Sequence, residues 1–138
     1  MHSFDKTIQK LRQEGFKLTP QRLAVIKHMI GNSRHPSALA IHKDLKRRYP
    51  SLSFSTVYNT LNMLERIEEV QSLNVIDGHL NYDPDISTHG HFLCTKCGTI
   101  HDIRFEDCDD IKLPQGEIGG HTISSIQVSF KGTCRICR

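Results

Sequence analysis

The sequence predicts an α+β chain in two modules: a basic helical module ending in a hairpin, and a small strand-rich module that carries metal ligands. Three observations lead there. From Phe4 to about residue 66, apolar residues recur at helical spacing. Beyond Asp85 the period shifts towards two. Within that second region, His89-Gly90-His91-Phe92-Leu93-Cys94-Thr95-Lys96-Cys97 holds two imidazoles and two thiols, and a second C-x-x-C pair, Cys134 and Cys137, follows.

Phe4 to Glu14 reads as a helix with Phe4, Ile8 and Leu11 on one face, stopped by Gly15. Thr19-Pro20 is a start signal, with Thr as N-cap and Pro at the first helical position. Leu23, Val25, Ile26, Met29 and Ile30 then form an apolar stripe that ends at Gly31-Asn32. Ser37 caps a third helix, with Leu39, Ile41 and Leu45 inward and Lys43, Lys46, Arg47 and Arg48 outward, and Tyr49-Pro50 ends it. Ser55 is the expected N-cap of a fourth helix, with Val57, Leu61 and Leu64 buried and Tyr58, Asn59 and Asn62 facing out. Val70 to Ile76, the Asp77-Gly78 turn and His79 to Tyr82 read as a hairpin. Helices followed by a hairpin outline a winged helix-turn-helix, with 55–66 as recognition helix and 70–82 as wing.

Pro84-Asp85 marks a hinge-like boundary, giving modules 1–84 and 85–138. In the second module, His91 to Cys94, Thr99 to Phe105 and Thr122 to Phe130 read as strands, the last rich in β-branched and aromatic residues. Asp107 to Leu113 fits a helical turn that Pro114, Gly116, Gly119 and Gly120 limit. The expectation is a small antiparallel sheet with one short helix.

Composition sets the compartment. With 138 residues and 37% apolar content, the chain suits one domain or two small ones. No apolar run approaches the length of a membrane span, and the charged, amphipathic N-terminus lacks a signal-peptide core. The cytoplasm is therefore expected, with no membrane partner. Thiols stay reduced there, so paired C-x-x-C motifs favour metal over disulfide. The net charge of +3 conceals a split: residues 1–70 carry 12 Lys/Arg against 6 Asp/Glu, and residues 71–138 carry 6 against 9. The basic half suits a polyanion and the acidic, His/Cys-rich half suits cations.

Cys94, Cys97, Cys134 and Cys137 supply four soft ligands in two turn-forming pairs, the pattern of a closed tetrahedral Zn²⁺ site. Cys108 falls outside it and reads as a small hydrophobe. His89 and His91 share a strand face. Together with Asp83 and Asp102 they form a mixed imidazole–carboxylate set suited to Fe²⁺, Mn²⁺ or Zn²⁺. A further histidine from the first module would let one metal bind both modules. Spacing alone does not choose His35 over His28, His42, His79 or His101 as the further ligand.

Leu18-Thr-Pro-Gln-Arg22, His35-Pro-Ser37, Ser55-Thr-Val-Tyr-Asn59, His89-x-His-x-x-Cys-x-x-Cys97 and Cys134-x-x-Cys137, in this order along nearly the whole chain, resemble the Fur family of metalloregulators. Within it the chain is most similar to PerR, the peroxide-sensing branch. The resemblance implies a dimeric, metal-dependent, DNA-binding transcriptional repressor rather than an enzyme. It implies a regulatory Fe²⁺ or Mn²⁺ held by His35, Asp83, His89, His91 and Asp102, with His35 and His89 the positions oxidised by peroxide. The Fur branch commonly has Glu where this chain has Asp83 and Asp102. Thr88 and Gly90 depart from a longer His-His-Asp-His run, and no His lies between Thr122 and Cys134, which argues against an additional metal site. His101 and His121 then read as solvated or structural.

For DNA, the resemblance implies that Tyr58 and Asn59 face the major groove of an A·T-rich palindromic operator. Tyr packs on thymine methyl groups and Asn bonds a base edge or phosphate. Lys17 matches a minor-groove position. Arg22, Ser55 and Thr56 complete the expected contacts. Strand 122–130 would pair across the twofold axis of a homodimer. An iron-uptake repressor of the same architecture is the nearest alternative. A metal hydrolase or a zinc-storage protein is the alternative of another class, and neither would explain the basic half.

Overall fold

The computed structural model describes residues 1–76 and 78–138; Asp77, the first residue of the expected hairpin turn, lies outside them. The chain divides into two compact units, Met1–Ile86 and Ser87–Arg138.

The first unit holds four helices: α1 (Phe4–Gln13), α2 (Pro20–Met29), α3 (Ala38–Lys46) and α4 (Phe54–Arg66). Their starts follow the expected chemistry. Thr19 Oγ1 accepts from Arg22 N ahead of Pro20, and Ser37 Oγ accepts from Ala40 N. Each satisfies a donor that the first helical turn leaves open. Gly15, at φ +80°, ends α1 where a side chain would be strained. The cap of α4 is Ser53, not Ser55: Ser53 Oγ accepts from Thr56 N at 3.1 Å. Either serine satisfies the sequence preference. The helix starts two residues earlier because Ser53 has the extended backbone that a cap needs.

The helices bury one apolar cluster: Ile8, Leu11, Val25, Ile26, Met29, Ile41, Val57, Leu61 and Leu64, among others. Leu39 departs from expectation, being 66% exposed at the start of α3. It sits two residues from buried Ile41, and on a helix such a pair points in different directions. Antiparallel strands β1 (Gln71–Ile76) and β2 (His79–Asp83) complete the unit, pairing Gln71 with Asp83 and Ile76 with His79. Glu69 is fully buried between α4 and β1 and accepts from His2 N, His2 Nδ1, Thr7 Oγ1 and Lys10 Nζ.

In the second unit, β3 (Gly90–Cys94) lies between β4 (Ile100–Ile103) and β7 (Val128–Gly132), with a separate small hairpin of β5 (Glu117–Ile118) and β6 (His121–Thr122). Two details correct the sequence reading. The expected strand 122–130 is split into β6 and β7, and β7 runs parallel to β3 rather than antiparallel. The expected helical turn at 107–113 is confined to a 3₁₀ turn at Phe105–Asp107. Asp109, Asp110, Pro114 and Gly116 withhold the run of helix-forming residues that a longer helix needs. Gly90 is closely packed: a Cβ there would meet the Phe105 ring at 3.2 Å, and the ring would have to shift to admit it.

Candidate metal centres and nucleic-acid interface

The cysteines of the two C-x-x-C pairs come together in the second unit. Their four sulfurs all lie within 4.8 Å of one another, with Cys97 Sγ and Cys134 Sγ 4.0 Å apart. A tetrahedral Zn²⁺ with bonds of about 2.3 Å puts sulfurs about 3.8 Å apart, so the cage fits. Local backbone builds it. Gly98 N donates to Cys94 O at 2.8 Å, closing the first turn, and Gly98 is at φ +73°. Cys137 N and Arg138 N close the second turn on Cys134 O. The pairs are brought together because Cys94 ends β3 while Gly132, its neighbour in register, ends β7 two residues before Cys134.

The thiol electrostatics call for a cation. The Cys134 N–H aimed at Cys94 Sγ (3.3 Å), with help from the Cys97 N–H, brings the Cys94 thiol down to about 6. Thr99 lowers Cys97. The Cys134 and Cys97 thiols, with burial, push Cys137 up to about 12. Four thiolates cannot share this volume unaided, and a soft dication resolves the conflict. Cys108 stands apart, half-buried.

A second set of donors forms around the start of β3. His91 pairs directly with Asp102 across β3 and β4. His89, buried just before β3, places its ring 4.4 Å from that of His91. Asp102 Oδ1 lies 3.3 Å from His89 Nε2 and 3.7 Å from His91 Nε2. The Ser87 carbonyl takes the His89 Nδ1–H at 2.7 Å, which leaves Nε2 as the lone-pair donor on the Asp102 side. Two imidazole nitrogens and one carboxylate oxygen thus converge, as a borderline divalent ion requires. Sequence reading missed Ser87; only the carbonyl's position identifies it.

Within the first unit, His35 and Asp83 make a buried pair, with His35 Nε2 3.5 Å from Asp83 Oδ2. His35 is at φ +51°, an uncommon conformation for a residue with a side chain and one that neighbours must hold in place. Asn81 does so by donating Nδ2 to His35 O at 2.8 Å, while Tyr82 N donates to Pro36 O. The first-unit alternatives to His35 are engaged elsewhere or at the surface. His42 Nε2 lies 2.7 Å from Leu52 O, His28 faces Asp44 on α3 at 3.5 Å, and His79 is exposed in the wing. In the second unit His101 packs half-buried beside Phe92, and His121 is exposed.

The exposed face of α4 carries Ser55, Tyr58, Asn59 and Asn62, with Tyr58 stacked on Phe54 at 6.4 Å between ring centroids. Thr56 is half-buried and its hydroxyl lies 2.8 Å from Ser53 Oγ, so it belongs to the cap. Lys17, Arg22 and Thr56 nevertheless line one shallow depression with Tyr49, and Arg22 Nη1 donates to the Lys17 carbonyl.

The sequence profile of the ferric uptake regulator family matches residues 13–131. The chain belongs to that family. It is 28% identical over 137 residues to the peroxide-responsive repressor PerR of Staphylococcus epidermidis, covering 99% of this chain and 91% of that one. Among solved structures, it is similar to the peroxide stress regulator of Campylobacter jejuni, with 30% identity, TM-score 0.65, and coverage of 99% of this chain and 100% of that one. It also shares the fold of the Helicobacter pylori ferric uptake regulator Fur, with TM-score 0.75, 21% identity, and coverage of 99% and 94%. In this chain the Cys₄ cluster and the His/Asp donors are candidate metal sites. Among the described residues no helix is long and apolar enough to cross a membrane.

Proposed function

We propose that this member of the ferric uptake regulator family is a metal-dependent, DNA-binding transcriptional repressor that senses hydrogen peroxide. The observation that carries the reading is the convergence of His89 Nε2, His91 Nε2 and Asp102 Oδ1, with the His89 tautomer fixed by Ser87. The relatives named above as peroxide-responsive support it.

The reading assigns structural Zn²⁺ to Cys94, Cys97, Cys134 and Cys137. It assigns a regulatory Fe²⁺ or Mn²⁺ to His35, Asp83, His89, His91 and Asp102. Ferrous ion, when bound, would activate hydrogen peroxide, so that overall one peroxide oxygen is added to an imidazole, which is the group oxidised, and the other leaves as water. The residues orient the reaction: imidazoles beside the ion are the groups nearest the oxidant, and His35 and His89 are the proposed targets. An imidazole that gains oxygen is a poorer ligand, and with it the metal-bound state is lost. Repression follows because the regulatory metal binds the DNA-competent form better than the incompetent one.

In this reading Tyr58, Asn59 and Ser55 contact an A·T-rich palindromic operator, with Lys17 and Arg22 on the backbone or minor groove. The modules are 1–84 for DNA and 85–138 for metal and dimerisation. The homodimer forms through edge strand β7, and the protein works in the cytoplasm. No hydrolytic role is assigned.

The test is DNA binding by anaerobic protein loaded with Fe²⁺ or Mn²⁺, followed by a small dose of hydrogen peroxide and mass spectrometry of the His35 and His89 peptides. The expected result is release of DNA by the iron form alone, with one oxygen added at His35 or His89. If both forms hold DNA through the dose and only metal removal releases it, the chain is a metal-level sensor.

A further inference from the structure

Asp102 divides its two oxygens between different neighbours. Oδ1 faces His89 and His91, while Oδ2 lies 3.9 Å from Nη2 of Arg104. The other terminal nitrogen of Arg104, Nη1, donates to Ser87 Oγ at 3.3 Å. The Ser87 carbonyl is the group that receives the His89 Nδ1–H. One guanidinium therefore bridges the carboxylate ligand after β3 and the segment that orients the imidazole before it.

We propose that Arg104 is a positioning residue for the regulatory ion: its two-pronged head turns Asp102 so that Oδ1 faces the imidazoles, and it anchors Ser87 and thereby His89. This rests on the reading of His89, His91 and Asp102 as metal ligands. The physical argument is ordering. Ligands already held by outer partners need not be ordered by the metal, and loss of such partners typically weakens a metal site by about 10- to 100-fold. The Arg104 side chain is 42% exposed, so solvent screens its charge. Its contribution lies in the spacing of its two terminal nitrogens, one donating to Ser87 Oγ and the other ion-paired with Asp102 Oδ2. A lysine ammonium, a single point, cannot span Asp102 and Ser87 as the planar fork does.

Mn²⁺ affinity of the zinc-loaded, full-length chain tests this by calorimetry, comparing the parent with Arg104→Ala, Arg104→Lys, Ser87→Ala and His91→Ala. The expected result is about tenfold weaker Mn²⁺ binding in Arg104→Ala, an equal loss in Arg104→Lys and a smaller one in Ser87→Ala. Zinc content and melting temperature should not change. Parent-like or tighter binding by Arg104→Ala overturns the proposal, and restoration by Arg104→Lys reduces the effect to charge and overturns it too. Should Arg104→Ala misfold, Ser87→Ala decides: parent-like Mn²⁺ affinity there removes the bridge. A parent that takes up no Mn²⁺, or a His91→Ala variant that binds it as the parent does, overturns the ligand assignment itself. If His91→Ala loses Mn²⁺ while Arg104→Ala keeps it, only the bridge fails.

Discussion

The two units are held together by different means. In Met1–Ile86, most of the buried apolar side chains, from Ile8 in α1 to Tyr82 in β2, form one cluster. In Ser87–Arg138, the buried apolar side chains among the described residues are Leu93, Cys94, Ile100 and Cys134. Two of those four are cysteines of the metal cage. A unit this small, with so little core, gains from a staple, and a metal held by the Cys₄ cage would be one. One unit is built on buried hydrocarbon, while the other buries little and carries the Cys₄ cage in its place.

Removing the zinc proposed for the Cys₄ cage should separate the units most sharply. Chelation, or Cys94→Ser, withdraws a binding free energy on the order of 10 kcal/mol from the second unit. Hydrogen exchange should then show β3, β4 and β7 exchanging freely while α2 and α4 stay protected. Protection that persists in β3 would mean this sheet has a sufficient core without metal.

The reverse perturbation is a cavity in the first unit. Leu61 is fully buried in α4, and Leu61→Ala should cost about 2–5 kcal/mol in the denaturant midpoint of the helical signal. Zinc content should be untouched. Zinc loss in parallel with the helix would break the comparison.

Glu69 sharpens the comparison by acidity. Burial raises its carboxyl pKa, but hydrogen bonds from the His2 N–H, the His2 ring and Thr7, with the His2 charge, outweigh burial and hold it below its ordinary value. A carboxyl depressed on folding stabilises above its unfolded pKa, about 4.3 for Glu. That stability is lost as pH falls through the lower, folded value. Melts of the first unit should therefore lose stability below about pH 4. Glu69→Gln should cost about 1–3 kcal/mol at neutral pH and flatten that acid limb. An acid limb identical in parent and variant would remove Glu69 as its source.

The smallest effect separates two serines. Ser53→Ala should cost about 1 kcal/mol through the lost cap of α4. Ser55→Ala, on the exposed face, should change stability by less than about 0.5 kcal/mol and weaken DNA retention instead. Equal losses of stability would place the cap differently.

Local chemistry made much of this legible in the sequence. Thr19-Pro20, Ser37 and the apolar stripes marked the helices, and the C-x-x-C spacings marked the cage, because capping and thiolate turns act within a few residues. Strict period-two pattern also put His89 and His91 on one side. What the tertiary structure decided depended on partners far along the chain. The parallel pairing of β7 with β3 is set by packing, and β-branched content reads the same in either direction. The left-handed turn at His35 is held by Asn81, forty-six residues later. Ser87 fixes a tautomer through its backbone carbonyl, a group every residue has, so no side-chain pattern could announce it.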